Sequence, residues 1–241
     1  MPSTGQSKWQ CVRKSSVFGE EFTWQDYENR VKWMALSLQD LGIGEQDVVG
    51  LLGDNRPEWV WGELAAHAIK GYSLGIYQDS MHEEVAYLIN YAKAKVVIAE
   101  DEEQCDKLLE LGDEIPSVEY IIYCDPRGMR KYDDPRLIDV EQVYKKGQLI
   151  DKANPDKYLN MVAATKGSDL SILCTTSGTT SKPKLAQLHS GTFLDHCAAY
   201  LRGGPTFSGR QLRFCTASAL DHGAGVCGWS GVDFASNRQL C

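Results

Sequence analysis

One run of hydroxyl, glycine and lysine side chains is the part of the sequence best suited to chemistry. Residues 175–184 read TTSGTTSKPK, seven Ser, Thr or Gly residues followed by two lysines around a proline. Successive loop N–H groups and hydroxyls supply hydrogen-bond donors without bulk, and a lysine adds a full positive charge for phosphate oxygens. The run therefore predicts a phosphate-binding loop, whereas its composition alone would favour a flexible linker.

The segments on either side of this run favour the loop. DLSILCT (169–175) is an apolar run typical of a strand, and GTFLDHCAAYL (191–201) predicts a helix. We therefore expect the loop to connect a strand to a helix, whose N-terminus would add positive potential. The run is not a Walker loop, because that motif requires glycine directly before the lysine and Pro183 stands there.

Upstream of the loop, helical and strand-like periodicities alternate. This alternation predicts an α/β fold, a parallel sheet layered with helices. The expected elements are a helix between an N-cap at Thr23 and a stop at Gly42, strand Val48–Leu52, a helix with Pro57 in its first turn, a strand after Gly71, helix Glu83–Ala92, strand Lys95–Ala99, helix Glu102–Leu111 and strand Val118–Tyr123.

Residues 125–167 are richer in charged and turn-forming residues. A short helix around Val140–Lys146 is the one element expected there. The segment is interpreted as a surface excursion of the same domain, with an interdomain linker as the alternative.

Composition excludes several classes of protein. The 241 residues carry a net charge of -8, which argues against a nucleic-acid partner bound through a broad basic face. The eight cysteines form no CxxC pair and no zinc-like spacing with histidine, which favours a reduced, cytoplasmic setting. The sequence shows neither a signal-peptide core nor a membrane span, so any membrane contact is expected to be peripheral.

The motif TSGTTSKPK resembles TSGTTGxPKG, the phosphate-binding signature of the AMP-forming acyl-CoA synthetases, or adenylate-forming enzymes. Residues 22–77 resemble the N-terminal domain of the same family, and more narrowly its long-chain fatty acid–CoA ligase branch. The resemblance covers about residues 22–201 and implies an incomplete N-terminal domain of the adenylate-forming ligase fold. Ser181 and Leu185 depart from the signature, since each replaces a glycine.

The resemblance implies a role for each matching residue. The residues expected to hold the phosphates of ATP are Thr176, Ser177, Gly178, Thr179, Thr180, Ser181, Lys182 and Lys184. Thr176 is also the expected Mg²⁺ ligand, and Lys184 is expected to neutralise phosphate charge or to anchor the loop. His189 is given no catalytic role.

Family members join a carboxylate to ATP, release pyrophosphate and transfer the acyl group to coenzyme A. The resemblance therefore implies ATP, Mg²⁺, coenzyme A and a carboxylate, a fatty acid by branch, as ligands of the intact enzyme. The family's other catalytic motifs follow the phosphate loop, so no catalytic residue is expected in this chain, and the chain alone is expected to be inactive. The alternatives are an adenylating enzyme for another carboxylate and a non-catalytic nucleotide-binding module.

The sequence after residue 204 changes in character. One back-translation of FCTASALDHGAGVC (214–227), read one base later, gives SVLPLPWIMEQVY, which resembles the LPL stretch that the family carries after its phosphate loop. This predicts a frameshifted, poorly ordered tail. The expected organisation is a lead-in (1–21), a partial AMP-binding domain (22–204) and an aberrant tail (205–241).

Overall fold

The computed structural model describes residues 8–11, 20–176, 182–203, 212–214 and 232–234. Its strands, in chain order, are β1 (Lys8–Cys11), β2 (Glu20–Thr23), β3 (Val48–Gly53), β4 (Tyr72–Tyr77), β5 (Ala94–Ala99), β6 (Tyr120–Tyr123), β7 (Leu137–Asp139), β8 (Leu170–Thr176), β9 (Lys184–His189), β10 (Leu212–Phe214) and β11 (Val232–Phe234). Its α-helices are α1 (Trp24–Asp40), α2 (Pro57–Ala68), α3 (His82–Ala92), α4 (Glu102–Leu111), α5 (Val140–Ala153), α6 (Lys157–Ala163) and α7 (Ser190–Gly203).

Seven of these strands form one sheet in the order β7-β6-β5-β3-β4-β8-β9. Every pairing is parallel except the last, in which β9 runs antiparallel to β8. The pairs β1-β2 and β10-β11 are separate antiparallel ribbons. The predicted α/β class, a parallel sheet layered with helices, is confirmed.

The core lies on both faces of this sheet. Strand β3 is buried along its whole length, and its side chains alternate between two apolar clusters. Val49 and Leu51 pack with residues of α1, α2 and α5, whereas Val48 and Leu52 pack with residues of α3 and α4. Burial on both faces explains why this strand reads as a continuous apolar run rather than an alternating one.

Local sequence signals set the helix boundaries. The Thr23 side chain accepts from the Asp26 backbone N–H, and the Asp26 carboxylate accepts from the Thr23 N–H, which forms a capping box at the start of α1. Pro57 occupies the first turn of α2, where no intrahelical donor is lost. Gly42 ends α1 with a φ of 87°. Each of these signals was predicted from the sequence.

The segment 125–167 contributes more to the domain than its composition indicates. In place of the short helix expected at Val140–Lys146, α5 continues to Ala153, and both β7 and α6 were missed. Gly147 lies where α5 crosses α1 so closely that a Cβ would come within 2.1 Å of the Trp33 carbonyl oxygen. Ser37 Oγ donates to the Val143 carbonyl at 2.6 Å across the same contact. The segment is therefore a structural layer of the domain.

A histidine connects three elements near the sheet edge. His67 Nε2 of α2 lies 3.1 Å from Ser73 Oγ of β4, and this hydroxyl donates to the Ser171 carbonyl of β8 at 3.3 Å. Burial lowers the pKa of His67 to about 4, while a backbone hydrogen bond with Ser171 opposes the shift. The imidazole is therefore neutral at pH 7 and links α2 to two neighbouring strands.

Replacing Gly147 with alanine tests the close crossing of α1 and α5. The added methyl group would overlap the Trp33 backbone, so we expect Gly147→Ala to lower the free energy of unfolding by about 3 kcal/mol. Gly44→Ala is the matched control, because nothing lies within 4 Å of its Cβ position, and we expect a change within about 0.5 kcal/mol. Urea unfolding measures both, and equal effects would contradict this close packing.

The pKa of His67 predicts a pH dependence of stability. The unfolded state binds a proton near pH 6.5 and the folded state only near pH 4, so the contribution is complete above pH 6.5 and is lost as the pH falls toward 4. Between pH 7 and 4.5, wild type should lose about 2 kcal/mol more unfolding free energy than His67→Gln. Parallel pH dependences in urea titrations would show that His67 is not buried as a neutral group.

Candidate phosphate-binding site

The two ends of the predicted loop are held by the pairing of β8 with β9. Thr176, the last residue of β8, lies opposite Lys184, the first residue of β9. The Thr176 hydroxyl donates to the Lys184 carbonyl at 3.2 Å. Both side chains are exposed. A hydroxyl and an ammonium group therefore flank the loop where it leaves and rejoins the sheet.

The structure describes only part of the predicted site. Thr176, Lys182 and Lys184 have defined positions, whereas the other predicted residues, Ser177, Gly178, Thr179, Thr180 and Ser181, lie outside the described residues. The phosphate-binding role of all eight residues stays a prediction. What the structure adds is the placement of the residues on both sides of the loop.

The expected strand–loop–helix arrangement is wrong in its last element. After the loop the chain forms β9, and α7 begins only at Ser190. The N-terminus of α7 therefore does not directly follow the loop, and the positive potential expected from it has no support in this arrangement. The remaining sources of attraction for an anion are the loop's own N–H and hydroxyl groups and the lysines.

Strand alternation separates the residues that flank the loop. Leu185 packs against the apolar cluster beneath α3 and α4, which Leu173 of β8 also joins. Because successive strand side chains point to opposite faces, Lys184 points to the other face of the sheet. Leu185, which departs from the family signature, is therefore partly buried against the core and does not lie on the same face as Lys184.

The second lysine of the motif is held by a different element. Lys182 Nζ lies 5.0 Å from the ring centroid of Tyr87 in α3, within range of a cation–π interaction. Tyr87 Oη donates to the Pro183 carbonyl at 2.9 Å. Tyr91 stacks on the Tyr87 ring with a centroid separation of 5.6 Å. Sequence reasoning missed Tyr87, since no local signal connects it with the loop.

His189 has a structural contact. Its Nδ1 lies 2.9 Å from the Ser168 carbonyl, at the opposite end of the β8–β9 pair from the loop.

A second polar cluster lies where β3 and β5 end. Arg56 forms an ion pair with Glu100 at 3.1 Å, and Glu100 accepts from the Asp54 N–H at 2.6 Å. Burial raises the pKa of Glu100, although this N–H and the guanidinium oppose the shift. The enclosed space beside them, about 10 Å³, holds about one water molecule, so the cluster orders the turn after β3 rather than receiving a substrate.

A larger cleft, about 700 Å³, shares no residue with β8, β9 or α3. It lies between the end of α1 and the α5–α6 connection, and Asn154, Asp156, Lys157 and Asn160 are among the residues that line it. We assign it no role in phosphate binding.

Two of the cysteines are buried or partly buried free thiols. Cys105 and Cys124 are free thiols whose pKa values are raised by burial, that of Cys105 to about 12, so neither is a ready nucleophile. Cys174 is disulfide-bonded. Within the described ranges, no three or more His, Cys, Asp or Glu side chains cluster to hold a metal.

Thr176 nevertheless fits the expected part in a magnesium site. Mg²⁺ is commonly held by one or two protein oxygens together with substrate phosphates. The Thr176 hydroxyl donates a hydrogen bond to the Lys184 carbonyl, so the lone pairs of its oxygen stay available on an exposed side chain. The Thr176 hydroxyl oxygen is therefore a suitable ligand atom for Mg²⁺.

No helix among the described residues is long and apolar enough to cross a membrane.

Comparison with protein families gives a match to the AMP-binding enzyme model over residues 5–232. Among curated proteins, the chain is 27% identical over 178 residues to a long-chain-fatty-acid–CoA ligase of Xenopus laevis. The aligned region covers 73% of this chain and 22% of that protein. It is 29% identical to long-chain-fatty-acid–CoA ligase 5 of Mus musculus, over 76% of this chain and 27% of that protein. The chain thus spans about a quarter of the length of these relatives.

Solved structures of related fold cover most of the chain. The anthranilate CoA ligase AuaEII in complex with anthranoyl-AMP matches with a TM-score of 0.67 and 18% identity, over 82% of this chain and 35% of that one. The acyl-CoA synthetase of Brucella canis matches with a TM-score of 0.61 and 20% identity, over 83% of this chain and 33% of that one. At these identities the likeness establishes the fold.

Proposed function

Because the chain belongs to the AMP-binding enzyme family, we propose that its segment 175–184 binds the phosphates of ATP in an AMP-forming long-chain fatty acid–CoA ligase. The proposal rests on the family match over residues 5–232, on the similarity to long-chain-fatty-acid–CoA ligases and on the geometry of the loop ends. The intact enzyme would convert ATP and a fatty carboxylate to acyl-AMP and pyrophosphate, and then transfer the acyl group to coenzyme A.

The observation that carries the proposal is the pairing of Thr176 with Lys184. It brings a hydroxyl and a cation to the two ends of a loop rich in glycine and hydroxyl residues. In adenylate formation, negative charge accumulates on the departing β- and γ-phosphates, and donors already in place lower the barrier. Lys184 would hold those phosphates electrostatically, while the loop N–H groups and hydroxyls would orient them.

Magnesium would share this task. Bound to ATP, Mg²⁺ neutralises phosphate charge and favours release of pyrophosphate. Thr176 Oγ1 would be its ligand from this chain. The Thr176 hydroxyl donates a hydrogen bond to the Lys184 carbonyl. The same hydrogen bond would orient Thr176 Oγ1 toward the metal and join the two strands.

The remaining assignments extend to the intact enzyme. We propose a small carboxylate, a fatty acid, as the activated substrate, coenzyme A as the acyl acceptor and a cytoplasmic location with peripheral membrane contact. An aryl or amino acid as the substrate is the second candidate for the carboxylate.

Binding of MgATP to this 241-residue chain tests the phosphate site directly. Lys184→Gln removes the charge beside the loop and should weaken MgATP binding about tenfold, since a hydrogen bond to a charged group contributes about 1.5–3 kcal/mol. Lys166→Gln is the matched control, because this exposed lysine lies before β8, at the far end of the strand from the loop. Isothermal titration calorimetry gives both affinities.

A wild-type chain that binds no MgATP would contradict nucleotide binding by this chain. Equal affinities for wild type and Lys184→Gln would remove Lys184 from the site while leaving nucleotide binding intact.

The substrate class is tested on the intact enzyme by ATP–pyrophosphate exchange with a panel of carboxylic acids. We expect the fastest exchange with long-chain fatty acids. Preferential exchange with aryl or amino acids would support the second candidate.

A further inference from the structure

The last part of the loop, just before β9, contacts α3 at two consecutive residues, Lys182 and Pro183. Tyr87 Oη donates to the Pro183 carbonyl at 2.9 Å, and the Tyr87 ring lies 5.0 Å from Lys182 Nζ. Both contacts come from one side chain, which is half-buried, and Tyr91 stacks on its ring one turn later in the helix. A well-oriented ring thus meets the chain just before Lys184.

The two contacts constrain different parts of the chain. The hydrogen bond fixes the backbone at Pro183, whose own φ is already restricted by its ring. The cation–π contact draws the Lys182 ammonium toward α3, on the face of the sheet where Leu185 packs. Lys184 points to the opposite face.

These placements give the two lysines of the loop different surroundings. We propose that Tyr87 is a positioning residue that anchors the end of the phosphate loop through Lys182 and the Pro183 carbonyl, and that Lys184 is the lysine that contacts phosphate. The proposal rests on the proposed function for its phosphate part. The anchoring part concerns the unliganded chain and can be tested without nucleotide.

Hydrogen exchange of the unliganded 241-residue chain tests the anchor. Tyr87→Leu removes both contacts, and Tyr87→Phe removes the hydrogen bond but keeps the ring. Each should speed exchange of the amides in β9 at least about fivefold, because a hydrogen bond contributes on the order of 1 kcal/mol. Amides of β3 are the internal reference, and their unchanged exchange would show that the effect is local.

Combining substitutions separates the cation–π contact from the hydrogen bond. Lys182→Met should speed exchange in β9 in the wild-type and Tyr87→Phe backgrounds, where the ring remains. In the Tyr87→Leu background it should have no further effect. An equal effect of Lys182→Met in all three backgrounds would show that Lys182 does not act through Tyr87. Unchanged exchange in both Tyr87 variants would overturn the anchor.

MgATP affinity tests the division between the lysines. Lys182→Met should weaken binding less than about threefold, and Lys184→Met about tenfold or more. Equal losses from the two variants, with β9 exchange unchanged in Lys182→Met, would overturn the division. If wild type binds no MgATP, this division fails for the chain, while ATP–pyrophosphate exchange decides the function of the intact enzyme and the hydrogen-exchange measurements decide whether Tyr87 anchors the loop.

Discussion

The candidate site depends first on the hydrogen bonding of β8 along both of its edges. One edge pairs in parallel with β4, and the other pairs antiparallel with β9. Ordering a loop on binding an anion costs conformational entropy, and this cost is smaller where other interactions already hold the loop ends. Pairing Thr176 with Lys184 holds both ends at one position of the sheet. Strand pairing therefore orders the loop ends before any ligand binds, and this lowers the entropy lost on binding.

The position of β8 depends in turn on the buried centre of the sheet. Strand β4 pairs with β3, which is enclosed by helices on both faces, and β8 follows β4. His67 and Ser73 strengthen this connection, since together they join α2, β4 and the Ser171 backbone of β8. The placement of β8 therefore depends on packing and hydrogen bonds that lie outside the loop.

Sequence patterns predicted those features that depend on local chemistry. The capping box at Thr23, Pro57 in the first turn of α2 and the apolar run of β3 each carry their signal within a few residues. Strand β9 was missed because Lys184–His189 is a partly buried edge strand with no strict apolar alternation. The full length of α5 was missed because Gly147, which weakens a helix in isolation, is required there by the backbone of α1.

The candidate site likewise depends partly on neighbouring residues of the motif and partly on residues that are distant in the sequence. The motif identifies an anion-binding loop and places its lysine at Lys184, but it does not say how the surroundings of Lys182 and Lys184 differ. Their difference comes from Tyr87, 96 residues before Pro183, and from the strand that begins at Lys184. Pro183 separates the two environments, because its restricted φ and its carbonyl bond to Tyr87 define the direction in which β9 starts. Two lysines with the same chemistry thus face different surroundings, because Lys182 lies against Tyr87 and Lys184 lies opposite Thr176 at the first position of β9.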